Sequence, residues 1–189
     1  MLQPKLLIYL LKVLNENHIE YMVTGSIVSS LQGEPRVTHD VDIVVNIPST
    51  SISPLLKAFP APRYYLSEFS IKDAIEHKSM FNLLDTNEGD KFDFWILTDS
   101  PFDKSRFDRR YDADVFGLQM KVSRPEDTIL AKLRWANLSG GSKKQFGDAL
   151  SVYEVQYAEL DIKYIEEWVI KLSVEDIWKN LIEESNPIR

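Results

Sequence analysis

The segment Asp40-Val41-Asp42-Ile43-Val44-Val45 restricts the fold of this chain more than any other. Val41, Ile43, Val44 and Val45 are β-branched, stiff at χ1, and favour a pleated strand. In a strand, residues two apart point to the same face. Val41, Ile43 and Val45 therefore enter a core together, while Asp40 and Asp42 project side by side from the other face. Like charges that close repel, and nothing in the adjacent sequence neutralises both. A divalent cation does so readily. Mg²⁺ prefers oxygen ligands at about 2.0–2.1 Å and binds through one or two carboxylates plus substrate phosphates.

The remaining chemistry is narrowed by what the chain contains. Its 189 residues allow one domain, or a core with a helical appendage, burying roughly 70% of the unfolded surface. There is no cysteine, which rules out disulfides and thiolate zinc sites and suits a reducing, cytoplasmic setting. No apolar run reaches about 18 residues, so no membrane segment is expected. The apolar start is interrupted by Lys12 and lacks a small-residue cleavage site, which argues against a signal peptide. A net charge of −7 gives no support to indiscriminate nucleic-acid binding. Two local basic groups, Arg106/Arg109/Arg110 and Lys143/Lys144, read as solvated charged faces or as small patches.

Periodicity divides the chain in two. A helix over 2–16, a strand over 21–24, a short helix over 26–32 and a buried strand over 41–45 come first. A helix over 54–59 ends at Pro60 and Pro62, and Ser67 caps another over 67–77. Met80–Leu84 and Lys91–Leu97 flank the turn-rich Asp85–Asp90, which predicts a hairpin. Residues 102–110 read as helix, and 111–122 as one or two strands turning near Gly117. After Ser123 the pattern is purely helical: a helix starting at Pro125 with Ser123 as its cap, then 143–156, 161–172 and 174–184. The expected organisation is α/β over 1–122 and helical over 123–189, with no flexible linker, so that the halves pack together.

Two further features bear on the carboxylate pair. Asp93 lies in Lys91-Phe92-Asp93-Phe94, an aromatic strand where a lone aspartate is costly unless paired. Metal coordination is one solution, and Lys91 on the same face is another. Gly25-Ser26 closes a strand and opens a helix. Backbone N–H groups at a helix start can hold a phosphate, glycine allows close approach, and the Ser26 hydroxyl can donate. His39 beside Asp40 points to the wrong face for a ligand, and His18 and His77 are isolated.

The order strand, Gly25-Ser26, thirteen residues, Asp40-Val41-Asp42, then Asp93 on a later strand resembles the DNA polymerase β-type nucleotidyltransferase superfamily. Arg36-Val37-Thr38-His39-Asp40-Val41-Asp42 is close to the R-x-T-x-D-x-D form of its small bacterial members. Lys91-Phe92-Asp93-Phe94, Pro125-Glu126-Asp127 with Ala131-Lys132-Leu133, and Lys143-Lys144-Gln145-Phe146-Gly147-Asp148 are similar to elements of the abortive-infection, toxin-like branch. The resemblance spans about 18–155. It implies an α/β (α+β) nucleotidyltransferase core, a mixed sheet flanked by helices, followed by a C-terminal helical bundle. It also implies Mg²⁺ or Mn²⁺ held by Asp40, Asp42 and Asp93, with Asp93 helping to activate an acceptor hydroxyl. An NTP is then bound with help from Gly25, Ser26, Lys132 and Asp148, and its NMP moves to an RNA, protein or small-molecule acceptor. A cognate antitoxin-like partner belongs to the same implication.

Other readings stay open at this point. Lys132 alone reads as a solvated helix lysine, and Asp148 as an i,i+4 partner of Lys144. Gly147 stands where related sequences carry a polar or basic residue. A non-catalytic nucleotide-binding or antitoxin-like protein on the same scaffold is the main functional alternative, and a metal-dependent nuclease the second.

Overall fold

The structure, a computed structural model, describes residues 4–36, 38, 40–115 and 117–187. Contacts divide these into two compact units: the described residues of 1–24 and 37–122, and those of 25–36 and 123–189.

The first unit is built on a seven-stranded mixed sheet. Its elements are α1 (Pro4–Glu16), β1 (Glu20–Thr24), β2 (Asp40–Asn46), α3 (Ile52–Ala58), β3 (Tyr64–Tyr65), α4 (Glu68–His77), β4 (Met80–Asp85), β5 (Lys91–Ile96), α5 (Pro101–Asp108), β6 (Tyr111–Val115) and β7 (Leu118–Val122). The number α2 belongs to Gly25–Gln32 of the second unit. Strand order is β3-β4-β5-β2-β1-β7-β6. β2 runs parallel to β5 and antiparallel to β1, β1 runs parallel to β7, and the remaining pairs are antiparallel. The predicted hairpin, the strand pair around Gly117 and the buried strand are all present. β3 is only two residues long and carries no periodic signal, which is why sequence reading passes over it.

Register explains the layers, because residues directly opposite on neighbouring strands share a face. Val23, Ile43, Phe94 and Phe81 form one row, each at most 2% exposed. Phe81 and Phe94 stack with centroids 4.8 Å apart. Leu10, Leu14, Leu55 and Ile71 of the flanking helices are fully buried as well. On the other face Met22 and Val44 are covered by Phe107 of α5, with Trp95 packed beside them. That apolar cover reaches Val44; Asp42 and Asp40 come before it on the same strand face.

The second unit joins α2 to α6 (Pro125–Leu138), α7 (Lys143–Gln156), α8 (Ile162–Leu172) and α9 (Glu175–Glu184). Gly33 lets α2 approach α7. A Cβ there would lie 2.6 Å from Ser151 Oγ and 3.0 Å from the Ser29 carbonyl oxygen. Gln156 Nε2 then donates to the Gln32 carbonyl at 2.7 Å, satisfying the end of α2. Tyr164 on α8 donates to Asp127 on α6 at 2.7 Å. Pro125 occupies the first turn of α6 as expected, but the cap differs from the sequence reading. Arg124 is the N-cap residue, and the Ser123 hydroxyl pairs with Thr128 Oγ1 at 2.8 Å. No helix of the described residues is long and apolar enough to cross a membrane.

Candidate active site

β2 and β5 run side by side in parallel, which sets Asp42 directly opposite Asp93 and Asp40 directly opposite Lys91. Thr24 on β1 and Asn82 on β4 extend the first of these rows. A polar strip, Thr24–Asp42–Asp93–Asn82, thus crosses four strands on one face of the sheet. Asp40 is exposed, Asp42 half-buried and Asp93 buried at 9%.

Asp93 is not left unpaired at this depth. Lys91 Nζ lies 2.9 Å from one of its oxygens and 3.0 Å from the other, and Asn82 Nδ2 donates to Oδ1. Of the two partners that sequence reading allowed for Asp93, Lys91 is therefore present. Trp95 Nε1 donates to Asp42 Oδ1 at 3.1 Å. The Lys91 ammonium is held above the ordinary lysine range. The hydrogen bond to Asp93 is the main cause, and the negative charges of Asp93, Asp40 and Asp42 add to it against the opposing effect of burial. Three carboxylates thus act on one ammonium.

The donor set suits a hard cation in kind, since carboxylate oxygens are what Mg²⁺ prefers. Among the described residues, however, no three Asp, Glu, His or Cys side chains are grouped as a ready cage. Beside Asp93 the positive charge is supplied by Lys91. His39 and Val37 lie outside the described residues. His18 is exposed, and the His77 ring faces Asp73 at 3.2 Å on the surface of α4.

The second unit holds the other predicted residues. Gly25 has φ 70°, a left-handed conformation that glycine adopts without strain, and it begins α2 with Ser26 next to it. Asp148 on α7 is 8% exposed and Lys132 on α6 is 5% exposed, with Lys132 Nζ 2.7 Å from Asp148 Oδ2. Arg36 reaches the same carboxylate at 2.9 and 2.8 Å and donates to Ser26 Oγ at 2.9 Å. Burial works to raise the Asp148 carboxyl, but the hydrogen bonds from Arg36 and Lys132, reinforced by their charges, outweigh it and hold the group below its ordinary value.

These contacts replace two local readings. Lys132 is a buried ion-pair partner rather than a solvated helix lysine. Asp148 pairs with Arg36 and Lys132 rather than with Lys144 on an exposed helix face. Gly147 does not disturb α7, which runs unbroken from Lys143 to Gln156, and a Cβ at Gly147 would meet nothing within 4 Å. That open side belongs to a cleft of about 470 Å³ lined by Arg36, Lys143, Lys144, Gly147, Asp148 and Ser151 among others. In the other basic group, Arg106 pairs with Asp103 and Arg110 with Glu20, each at 2.9 Å.

Arg36 is the participant that sequence reasoning left without a role. It is 112 positions from Asp148, so no local spacing links them. Its place in the R-x-T-x-D-x-D stretch was the only available signal.

No protein-family model matches the sequence, and no curated protein matches it. Among solved structures, two to which the chain is similar over nearly its whole length bear on the fold. One is an antigenic nucleotidyltransferase-like protein from Paracoccidioides brasiliensis, at 17% identity and a TM-score of 0.53, covering 97% of this chain and 94% of that one. The other is the antibiotic-resistance factor ANT(2'')-Ia, at 12% identity and a TM-score of 0.52, covering 95% and 94%. At such identities the likeness speaks for the fold: a mixed sheet flanked by helices, of nucleotidyltransferase type.

Proposed function

We propose that this chain is a metal-dependent nucleotidyltransferase that moves NMP from an NTP to a hydroxyl acceptor and releases pyrophosphate. The observation that carries the reading is the polar strip of the sheet, where Asp42 and Asp93 stand in register with Asp40 alongside. The nucleotidyltransferase-type fold supports it. Asp40, Asp42 and Asp93 would hold Mg²⁺ or Mn²⁺, with Lys91 withdrawing from Asp93. The bound ion would offset negative charge on the phosphates as the α-phosphorus is attacked.

The residues of the chain divide the remaining work. An acceptor oxygen forms the new bond to the α-phosphorus as the bond to pyrophosphate breaks, and Asp93 takes the hydroxyl proton on a carboxylate oxygen. Asn82 and Trp95 hold Asp93 and Asp42 by the hydrogen bonds described above. Gly25, Ser26, Lys132 and Asp148 serve the nucleotide, Ser26 as a donor and Lys132 as a cation fixed by Asp148. Membership of the abortive-infection branch and a cognate antitoxin-like partner belong to the same proposal.

One observation favours a second reading. Lys91 already neutralises Asp93, and a protein that binds nucleotide without turning it over keeps that pairing permanently. Incubation with each α-labelled NTP, Mg²⁺ and a cell extract separates the two. Label transferred to one RNA, protein or small molecule supports transfer and names the acceptor. Nucleotide retained with no transfer under any NTP sinks the enzymatic reading.

A further inference from the structure

Arg36 stands in the loop after α2, four residues ahead of Asp40, and the reaction as proposed gives it no task. Its guanidinium nevertheless makes three directed bonds within one unit. Nε donates to Asp148 Oδ1 at 2.9 Å, Nη2 donates to Oδ2 at 2.8 Å, and Nη2 also donates to Ser26 Oγ at 2.9 Å. The planar fork matches the carboxylate at two points, which the single ammonium of a lysine cannot reproduce. Asp148 is itself fixed from the other side by the buried Lys132. The guanidinium is therefore anchored on a carboxylate that cannot easily turn.

The bond to Ser26 has a directional consequence. A hydroxyl has one proton and two lone pairs. With a lone pair facing Arg36, the proton points away from the guanidinium. The Ser26 backbone carbonyl accepts from the Ser29 and Ser30 hydroxyls, but the Ser26 hydroxyl itself donates to no acceptor among the described residues. It is thus held as a donor toward something outside the cluster. Two cations share one carboxylate here. An atom that accepts a hydrogen bond and carries negative charge matches that setting, and a phosphate oxygen does both.

We infer that Arg36 is a positioning residue for phosphate: anchored by Asp148, it orients the Ser26 hydroxyl as a donor to a phosphate oxygen of the bound nucleotide. The inference rests on the nucleotide reading above and adds to it the residue that aims the donor. It also assigns the Asp148–Lys132 pair a further task, that of bracing Arg36.

Calorimetric titration with pyrophosphate, ATP, CTP, GTP and UTP tests it. Arg36→Lys keeps the charge and removes the fork. The expected result is binding weaker by about tenfold for pyrophosphate and for the preferred NTP, the scale of one directed hydrogen bond. In turnover, KM for that NTP rises by a similar factor while kcat changes by less than about threefold. In a Ser26→Ala background the same Arg36→Lys change costs less than about threefold, because no hydroxyl is left to orient. Equal losses in both backgrounds, or unchanged binding by Arg36→Lys, overturn the inference. A measurement that needs no variant guards against misfolding: the Arg36 Nε–H resonance is expected to resist solvent exchange and to shift when pyrophosphate is added. A freely exchanging resonance overturns the inference as well. If the natural protein binds none of the five probes, the nucleotide reading itself fails, an outcome visible before any variant is made.

Discussion

The polar strip of the sheet and the cluster around Asp148 are built from the same kinds of group in opposite proportion. On the sheet, Asp40, Asp42 and Asp93 all act on the one ammonium of Lys91, whose side chain is 41% exposed. In the helical unit, Arg36 and Lys132 act on the one carboxylate of Asp148, and Lys132 and Asp148 are buried. The first has negative charge to spare and the second positive. Under the proposed function the first imbalance would suit a metal ion and the second a phosphate. The depth of burial differs too. Lys91 has water beside it although its partner Asp93 is buried, whereas Lys132 and Asp148 both lie in a low-dielectric setting. The contrast is between a pair with one half-exposed member and a pair buried on both sides.

The largest effect that can break this comparison is catalytic. Asp42→Asn is expected to lower NMP transfer by about a thousandfold or more, the scale of losing several kcal/mol of charge stabilisation. The fold should survive, because an amide oxygen can still accept from Trp95 Nε1. Labelled-NTP turnover together with a thermal melt checks both halves. Retention of near-natural activity removes the metal role from the strip.

Stability comes next in size. Asp148→Asn takes the charge from a buried pair and is expected to lower the unfolding free energy by about 3 kcal/mol. Lys91→Met removes a half-exposed ammonium but leaves the buried Asp93 to Asn82 alone, and is expected to cost less than Asp148→Asn, about 1–2 kcal/mol. Urea titration of the two variants measures the contrast directly. Comparable losses would mean that the two pairs do not differ in what their burial costs.

Much of this architecture could be read from the chain, and the exceptions have a physical pattern. The strand around Val41–Val45, the hairpin at Asp85–Asp90 and the helix after Ser67 rest on periodicity and caps, which act within a few residues. The Ser67 cap is realised by its bond from the Ser70 N–H. The expectation that Asp40 and Asp42 share a face needs only the two-residue period of a strand. The facing of Asp42 and Asp93, by contrast, depends on the register of two strands separated by about fifty residues. Sequence supplied the residue types for it but no register. Lys132 shows the limit most plainly. Its helix reads correctly from 125 onward, yet its burial depends on Asp148 and on α7 lying against α6, and no local propensity encodes that. Arg36 was hidden for the same reason.

The pH response should separate the clusters at opposite ends of the scale. Asp148 lies below its ordinary value when folded. Between the folded value and the unfolded one near 3.9, only the unfolded chain binds the proton, so stability rises with pH. The contribution is full above about pH 4 and is lost as pH falls through the folded value. Lys91 is raised, so its contribution is full below about pH 10.4 and is lost as pH rises through the folded value. Urea midpoints measured from acid to alkali are expected to show a flatter acid limb for Asp148→Asn and a flatter alkaline limb for Lys91→Gln. A variant whose limb keeps the natural slope was not supplying that titration.

The smallest expected effect is informative because it is small. Lys144 stands four residues before Asp148 on α7, the spacing at which a surface ion pair would form. Asp148 instead turns inward to Arg36 and Lys132, and Lys144 remains exposed on the rim of the cleft. Lys144→Ala is therefore expected to move the thermal midpoint by no more than about 1 °C, since it removes neither a buried partner nor packed surface. A drop of several degrees would show Lys144 competing for Asp148, and the carboxylate would then be shared between helix surface and interior. The contrast between a half-exposed cation and a buried pair would weaken in proportion.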